Sequence, residues 1–176
     1  NILEAARVFG VKVIYESSRE VYGDMPQSPV NEDSPLKPKS PYALSKAAAD
    51  SICYGYYTSY KLEIMILRCC NVYGSNQRAG KLGAFIPRLV EQALNGGELT
   101  IYGSGSQRRE YIHVSDLVRA HDLVVNKGEF SGNTVNVGTN QYYSVNQIAE
   151  KISQRLSAKI VHVESRQGEI PGFVLD

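Results

Sequence analysis

Tryptophan is absent from this 176-residue chain, and cysteine, methionine and phenylalanine are scarce, at three, two and four. The three cysteines, Cys53, Cys69 and Cys70, exclude a scaffold held by several disulfides, and their spacing fits no zinc site. Reduced thiols and a cytoplasmic location are expected, with no metal. No apolar run approaches the roughly 20 residues that span a bilayer, and no segment has the order of a signal peptide. Charge of one sign is lacking as well: 19 Lys and Arg against 18 Asp and Glu leave +1. With no long block of either sign, nucleic acid and anionic membrane are not expected as partners, and a small molecule is. An initiator Met is missing too, and Asn1 already lies in a helix-like run, so both ends read as cuts through a longer protein.

Hydrophobic residues make up 43% of the chain, enough for the core of one ordinary domain. Ile2 to Val8 reads as a helix closed by Gly10, and Val11 to Tyr15 as a buried strand with Ser17 and Ser18 at its C-terminal end. Residues 23 to 40, rich in Pro with Gly23, Asn31 and Asp33, read as a long surface loop of the kind that borders binding sites. Ser40-Pro41 opens a helix to about Tyr60, since the serine caps free N–H groups and proline fits the first helical position. Glu63 to Cys69 is the next buried strand, leaving through a polar turn, Asn71 to Gly74. This strand, loop, helix, strand order is the rhythm of a parallel sheet with crossover helices.

Beyond it, Gly83 to Leu94 has helical periodicity and ends at Asn95-Gly96-Gly97. Leu99 to Tyr102 is a short strand before a polar turn, and Ser115 is placed to cap a helix through about Val125. Val135 to Val137 returns to strand. Ser144 with Gln147 forms a capping box for a helix to about Leu156, and Ile160 to Val163 is the last strand.

Tyr42 and Lys46, four apart near a helix start, share one face. A phenol is a poor base at neutral pH, but an ammonium about 7 Å away at an effective dielectric near 20 stabilises its phenolate by roughly 2 kcal/mol. The spacing alone is also what a solvated helix face shows. Its context is more telling. Ser17-Ser18-Arg19-Glu20-Val21-Tyr22-Gly23, Ser40-Pro41-Tyr42-Ala43-Leu44-Ser45-Lys46 and Arg68-Cys69-Cys70-Asn71-Val72-Tyr73-Gly74 follow in that order. Together with Gly83 to Arg88, Leu99 to Asp116, Val135 to Thr139 and Arg166 to Glu169, they resemble the extended short-chain dehydrogenase/reductases. Within that family the likeness is to the NAD-dependent sugar-nucleotide epimerases and dehydratases, and it covers nearly the whole chain.

The resemblance implies an α/β fold: part of a doubly wound parallel-sheet Rossmann fold over residues 1–75, with a smaller, interleaved C-terminal α/β substrate-binding region over 76–176. It implies a catalytic set of Ser18, Tyr42 and Lys46, with Glu20 beside it, and NAD bound through Tyr42 and Lys46. Tyr42 would take the proton from the sugar 4-hydroxyl, Ser18 would hydrogen-bond the same oxygen, and Lys46 would hold the nicotinamide ribose. Asn71, Arg88, Arg109 and Arg166 would bind a nucleotide-diphosphate sugar, most simply a UDP-sugar, and Glu169 would accept from its ribose hydroxyls. A homodimer through the Tyr42 helix is implied as well, with Ile52, Tyr56 and Tyr60 as its stripe. Gly103-Ser104-Gly105 is not the dinucleotide fingerprint, because Arg108 stands where the third glycine belongs and no helix opens there. The glycine-rich turn is expected upstream of this chain, which by itself is expected to lack the pyrophosphate site.

Related 4,6-dehydratases carry an Asp-Glu pair after the serine, where this chain has Arg19-Glu20. Guanidinium titrates above about 12 and cannot donate a proton at neutral pH. The expectation is therefore 4-epimerisation through a 4-keto intermediate, with UDP-glucuronate decarboxylation or 4,6-dehydration as alternatives. A truncated, catalytically silent nucleotide-sugar binding module is the alternative of another class.

Overall fold

The computed structural model describes residues 1–25, 29–79, 84–128, 130–165 and 175. Its architecture follows from one strand. All six residues of β2 (Ile64–Cys69) are buried, as happens where a parallel strand is covered on both faces. β1 (Val13–Ser18) pairs with it in parallel from Val13 opposite Ile64 to Ser18 opposite Cys69. β6 (Thr134–Val137) lies in parallel along its other edge, giving the order β1-β2-β6.

One face of this sheet is covered by α1 (Ile2–Phe9) and α2 (Pro41–Tyr60), around Ala6, Cys53, Ile64 and Ile66. The opposite face packs Met65, Leu67 and Cys69 against Leu117 of α4 (Val114–Lys127). α2 starts as its sequence dictates: the Ser40 hydroxyl accepts from the Ala43 N–H at 3.0 Å, and Pro41 follows. β1 runs further than the apolar run suggests, through Glu16, Ser17 and Ser18. Its partner β2 supplies backbone pairing as far as Cys69, whatever the side chains.

A second sheet was not legible. β3 (Asn71–Tyr73), β5 (Arg108–His113) and β7 (Tyr142–Ser144) are ordered β3-β5-β7, parallel and then antiparallel. Asn71 to Tyr73 is thus strand where a turn is expected, and the polar stretch after Tyr102 leads into β5. The reason lies at Glu110, an inward position of β5 with no solvent exposure. A carboxylate there breaks the apolar alternation that marks a half-buried strand. It is satisfied nonetheless, accepting from the backbone N–H groups of Asn140 at 2.8 Å, Leu175 at 2.8 Å and Thr139.

The third unit pairs β4 (Leu99–Tyr102) in parallel with β8 (Ile160–Val163), under α3 (Phe85–Leu94) and α5 (Val145–Leu156). Leu89, Leu99, Ile101 and Ala149 form its core. Ser144 and Gln147 make the expected capping box. α3 begins at Phe85 rather than Gly83, which lies outside the described residues. α4 begins two residues earlier than expected: His113 Nδ1 accepts from the Ser115 N–H at 3.3 Å, so His113, not Ser115, is the cap.

Elements are tied across the first sheet by a buried polar chain. Arg68 Nε donates to Asp50 at 3.0 Å, its Nη1 donates to the Tyr22 hydroxyl at 2.9 Å, and that hydroxyl donates to Asn136 Oδ1 at 2.7 Å. β2, α2, the segment after β1 and β6 are thereby held in one register. Among the described residues no helix is long and apolar enough to cross a membrane.

Candidate active site

The C-terminal ends of β1 and β2 and the first turns of α2 open onto one cleft of about 570 Å³, within the range of small-molecule sites. Ser18 closes β1 and also caps a short 3-10 turn, Arg19–Tyr22, its Oγ accepting from the Glu20 N–H at 3.2 Å. Gly23 ends that turn at φ +69, where an added Cβ would stand 1.9 Å from the Lys37 carbonyl oxygen. Only glycine can occupy it. The turn fixes Ser18 and Glu20 on the cleft wall.

Opposite them, Tyr42 is 52% exposed. Lys46 reaches across from the next turn of α2, and its Nζ donates to the Glu16 carbonyl of β1 at 2.8 Å. The ammonium lies 5.1 Å from the Tyr15 ring centroid and 6.0 Å from that of Tyr42. The helix spacing read from the sequence is therefore a real juxtaposition of cation and phenol, anchored to the strand that carries Ser18.

At the other end, the Arg88 guanidinium stacks 5.3 Å from the Tyr102 ring and 5.8 Å from that of Phe85. Asn71 Nδ2 donates to the Glu110 carbonyl at 2.9 Å, fixing β3 against β5. Arg109 Nη1 donates to the Arg108 carbonyl at 2.8 Å. Ser18, Glu20, Tyr42, Lys46, Asn71, Arg88 and Arg109 all line the cleft. Arg166 and Glu169 lie outside the described residues.

Arg19 is placed differently from its neighbours in sequence. It is buried, at 7% exposure, and is not one of the cleft-lining residues. Burial, and next the nearby Arg109, pull its guanidinium below its ordinary value, against the opposing charges of Glu20 and Glu110.

Sequence reasoning passed over several lining residues: Glu16, Cys69, Cys70, Gln77, Tyr102 and Tyr111. Glu16 carried a signal, a lone carboxylate in an apolar strand. Cys69 and Cys70 are pushed up to about 12, first by burial, and remain thiols at neutral pH. Tyr111 is likewise raised to about 12 by burial. Among the described residues no group of three or more His, Cys, Asp or Glu could hold a metal ion.

A phenol and an ammonium one helical turn apart, facing a strand-end serine in a parallel α/β sheet, are the features of a short-chain dehydrogenase/reductase site. The chain belongs to the NAD dependent epimerase/dehydratase family, whose model matches residues 1–138. It is 40% identical over 154 residues to the dTDP-D-glucose 4,6-dehydratase of Mus musculus, covering 87% of this chain and 42% of that protein. Among solved structures, it is 34% identical to the dTDP-glucose 4,6-dehydratase DesIV of Streptomyces venezuelae, which has NAD bound. The TM-score is 0.91, with 99% of this chain and 54% of that one covered. The UDP-glucose 4-epimerase of Thermotoga maritima, solved with UDP-glucose, superposes with a TM-score of 0.92 at 30% identity, covering 99% of this chain and 58% of that one. The chain thus spans about half the length of the relatives it matches.

Proposed function

We propose that, within the full-length protein, this cleft oxidises C4 of a nucleotide-diphosphate sugar to a 4-keto intermediate. The observation that carries this is the convergence of Ser18, Tyr42 and Lys46 on one cleft, with Lys46 anchored to the strand that ends in Ser18. The donor set fits NAD: the Lys46 ammonium has three N–H groups, one of them on the Glu16 carbonyl, and the others are suited to ribose hydroxyls. NAD supplies the hydride acceptor when bound. Tyr42 Oη takes the proton of the 4-hydroxyl, Ser18 Oγ donates to the same oxygen, and Lys46 stabilises the phenolate. Arg109, a charged planar fork, and Asn71, a neutral amide donor, bind the diphosphate, with Arg88 near the nucleotide. From their motif, Arg166 is assigned to the diphosphate and Glu169 to the ribose hydroxyls. On this reading residues 1–75 are the cofactor side and 76–176 the substrate side.

From the ketone, two exits are open. Relatives such as the mouse and Streptomyces enzymes are dehydratases, and Glu20 on the cleft wall is a carboxylate suited to take the C5 proton. This weighs for loss of water across C5 and C6, and reverses the order expected from Arg19. Epimerisation at C4 is the second reading, supported by the likeness to the Thermotoga epimerase. Incubating the full-length protein with dTDP-glucose, UDP-glucose and UDP-glucuronate, and following products by nuclear magnetic resonance, separates the readings. A 4-keto-6-deoxy sugar marks dehydration, a C4 epimer marks epimerisation, and carbon dioxide from the glucuronate marks decarboxylation. Tyr42→Phe should lower turnover about 10²- to 10⁴-fold with nucleotide affinity kept; a loss under threefold would remove Tyr42 from the mechanism.

The chain by itself is assigned the weaker role of nucleotide-sugar binding, which calorimetry checks as UDP heat without NAD heat. A homodimer through α2 is supported by its exposed Ile52 and Tyr60, whereas Tyr56 of the same stripe is half-buried against the core beneath α1; sedimentation of the full-length protein should give twice the monomer mass.

A further inference from the structure

Tyr42, Lys46 and Asp50 follow one another at four-residue steps along α2 and share a stripe of that helix. The stripe is fastened to the sheet at two points. Lys46 Nζ donates to the Glu16 carbonyl of β1 at 2.8 Å, and Asp50 Oδ2 accepts from Arg68 Nε of β2 at 3.0 Å. Strand alternation agrees with the second contact: Ile64 and Ile66 pack in the cluster under α1 and α2, and Arg68 is the next residue on that face. Asp50 and Arg68 are both buried.

Arg68 also holds the opposite wall of the cleft. Its Nη1 donates to the Tyr22 hydroxyl at 2.9 Å, and the guanidinium lies 4.9 Å from the Tyr22 ring centroid. That hydroxyl donates in turn, at 2.7 Å, to Oδ1 of Asn136, the β6 residue paired with Arg68 in the sheet. Tyr22 ends the 3-10 turn that Ser18 caps and that contains Glu20. One planar guanidinium therefore joins the helix of Tyr42 and Lys46 to the turn of Ser18 and Glu20. It does so through two nitrogens whose separation is fixed by covalent geometry. Asp50, Arg68 and Tyr22 are not cleft-lining residues themselves.

We propose that Arg68 and Tyr22 are positioning residues for the reaction, setting the distance between Ser18 Oγ and Tyr42 Oη so that both reach one substrate oxygen. This rests on the reading of the cleft as a site that oxidises C4. Two hydroxyls on different elements must come within hydrogen-bond reach of the same atom, and a misplacement of about 1 Å costs on the order of 10²-fold in rate. Tyr42 and Lys46 need no spacer, because one helix carries both. Ser18 does, because it closes β1 and opens the turn, and the Arg68 fork ties that turn to α2.

The test uses the full-length protein with NAD and saturating dTDP-glucose or UDP-glucose, and reads the single-turnover rate of the first hydride transfer as NADH absorbance. Tyr22→Phe keeps the ring and removes the hydroxyl that Arg68 holds. It should lower that rate by roughly 10- to 100-fold while sugar-nucleotide affinity, measured by calorimetry, stays within about twofold. The deciding comparison is made in a Ser18→Ala background. If Tyr22 acts by placing Ser18, Tyr22→Phe should cost nothing further there, whereas a general structural loss would multiply with that of Ser18→Ala. Arg68→Lys keeps a charge beside Asp50 without the fixed fork and should show the same masking; with folding checked by circular dichroism, it carries the comparison if Tyr22→Phe does not fold. An unchanged rate in these variants, or losses that multiply with Ser18→Ala, would overturn the assignment alone. A wild-type protein that forms no NADH with either sugar nucleotide would overturn the proposed function and this assignment with it.

Discussion

At the scale of single residues, the fold separates groups that line the cleft from groups that lie behind it. Arg109 lines the cleft beside Tyr111, with one guanidinium nitrogen held by the Arg108 carbonyl. Arg109→Ala should weaken UDP binding by about 1.5–3 kcal/mol, the range for hydrogen bonds to charged groups. Calorimetry with UDP checks this, and unchanged affinity would leave Arg109 without a ligand role. Arg19 differs from its neighbour Glu20 in a way spacing could not reveal. Ser18 ends an extended strand and Glu20 sits in a 3-10 turn, so consecutive side chains diverge and Arg19 points into the interior. The sequence argument treated position 19 as a cleft position, and the fold removes it from there. The juxtaposition of Tyr42 and Lys46 was legible because a helix face is local geometry, whereas Ser18 was singled out only by the family resemblance.

Elements are held by polar groups whose removal has unequal consequences. Asp50 and Arg68 are 3% and 6% exposed and directly paired. Asp50→Ala should destabilise the full-length protein by about 3–5 kcal/mol, because a buried guanidinium loses its counter-charge. Urea unfolding monitored by circular dichroism checks it. The double change Asp50→Leu with Arg68→Met should cost less than Asp50→Ala alone, since no uncompensated charge remains. At the start of α2 the Ser40 cap is exposed to replacement without such a charge, and Ser40→Ala should cost about 1 kcal/mol in the same assay. The turn after β6 depends on Gly138, where an added Cβ would stand 2.4 Å from Glu110 Oε1. Gly138→Ala should therefore destabilise more than Ser40→Ala, by forcing the buried carboxylate away from its backbone donors.

For the whole molecule, burial of weak acids predicts a limit at high pH. Cys53 is raised to about 11, Cys69 and Cys70 to about 12, and Tyr15 and Tyr111 to about 12, chiefly by burial. Each keeps its proton in the folded state at pH values where the unfolded chain has lost it. The folded state then binds more protons, so stability falls as pH rises. The contribution is complete below the unfolded values near 9 and 10 and is lost as pH approaches the folded values near 12. The midpoint of thermal unfolding should be level between pH about 7 and about 8 and decline above about 9. Replacing Cys69 and Cys70 by Ala should make the decline shallower, as calorimetric scans across that range would show.

The same distinction between local and distant causes divides what the chain declared from what it withheld. The sequence by itself determined the central parallel strand, the helices α2 and α5 with their caps, and the Tyr42–Lys46 pair. Each follows from contacts within a few residues: apolar runs, hydroxyls before helix starts, and a four-residue spacing. Only the tertiary structure decided that β3, β5 and β7 form a sheet, because their polar side chains are satisfied by partners about thirty or more residues away, as Glu110 is by Asn140 and Leu175. It likewise decided that Arg19 turns inward and that Glu16 meets both Lys46 and His121. Those contacts join β1 to α2 and α4, and no periodicity along one segment encodes which distant segment will cover it.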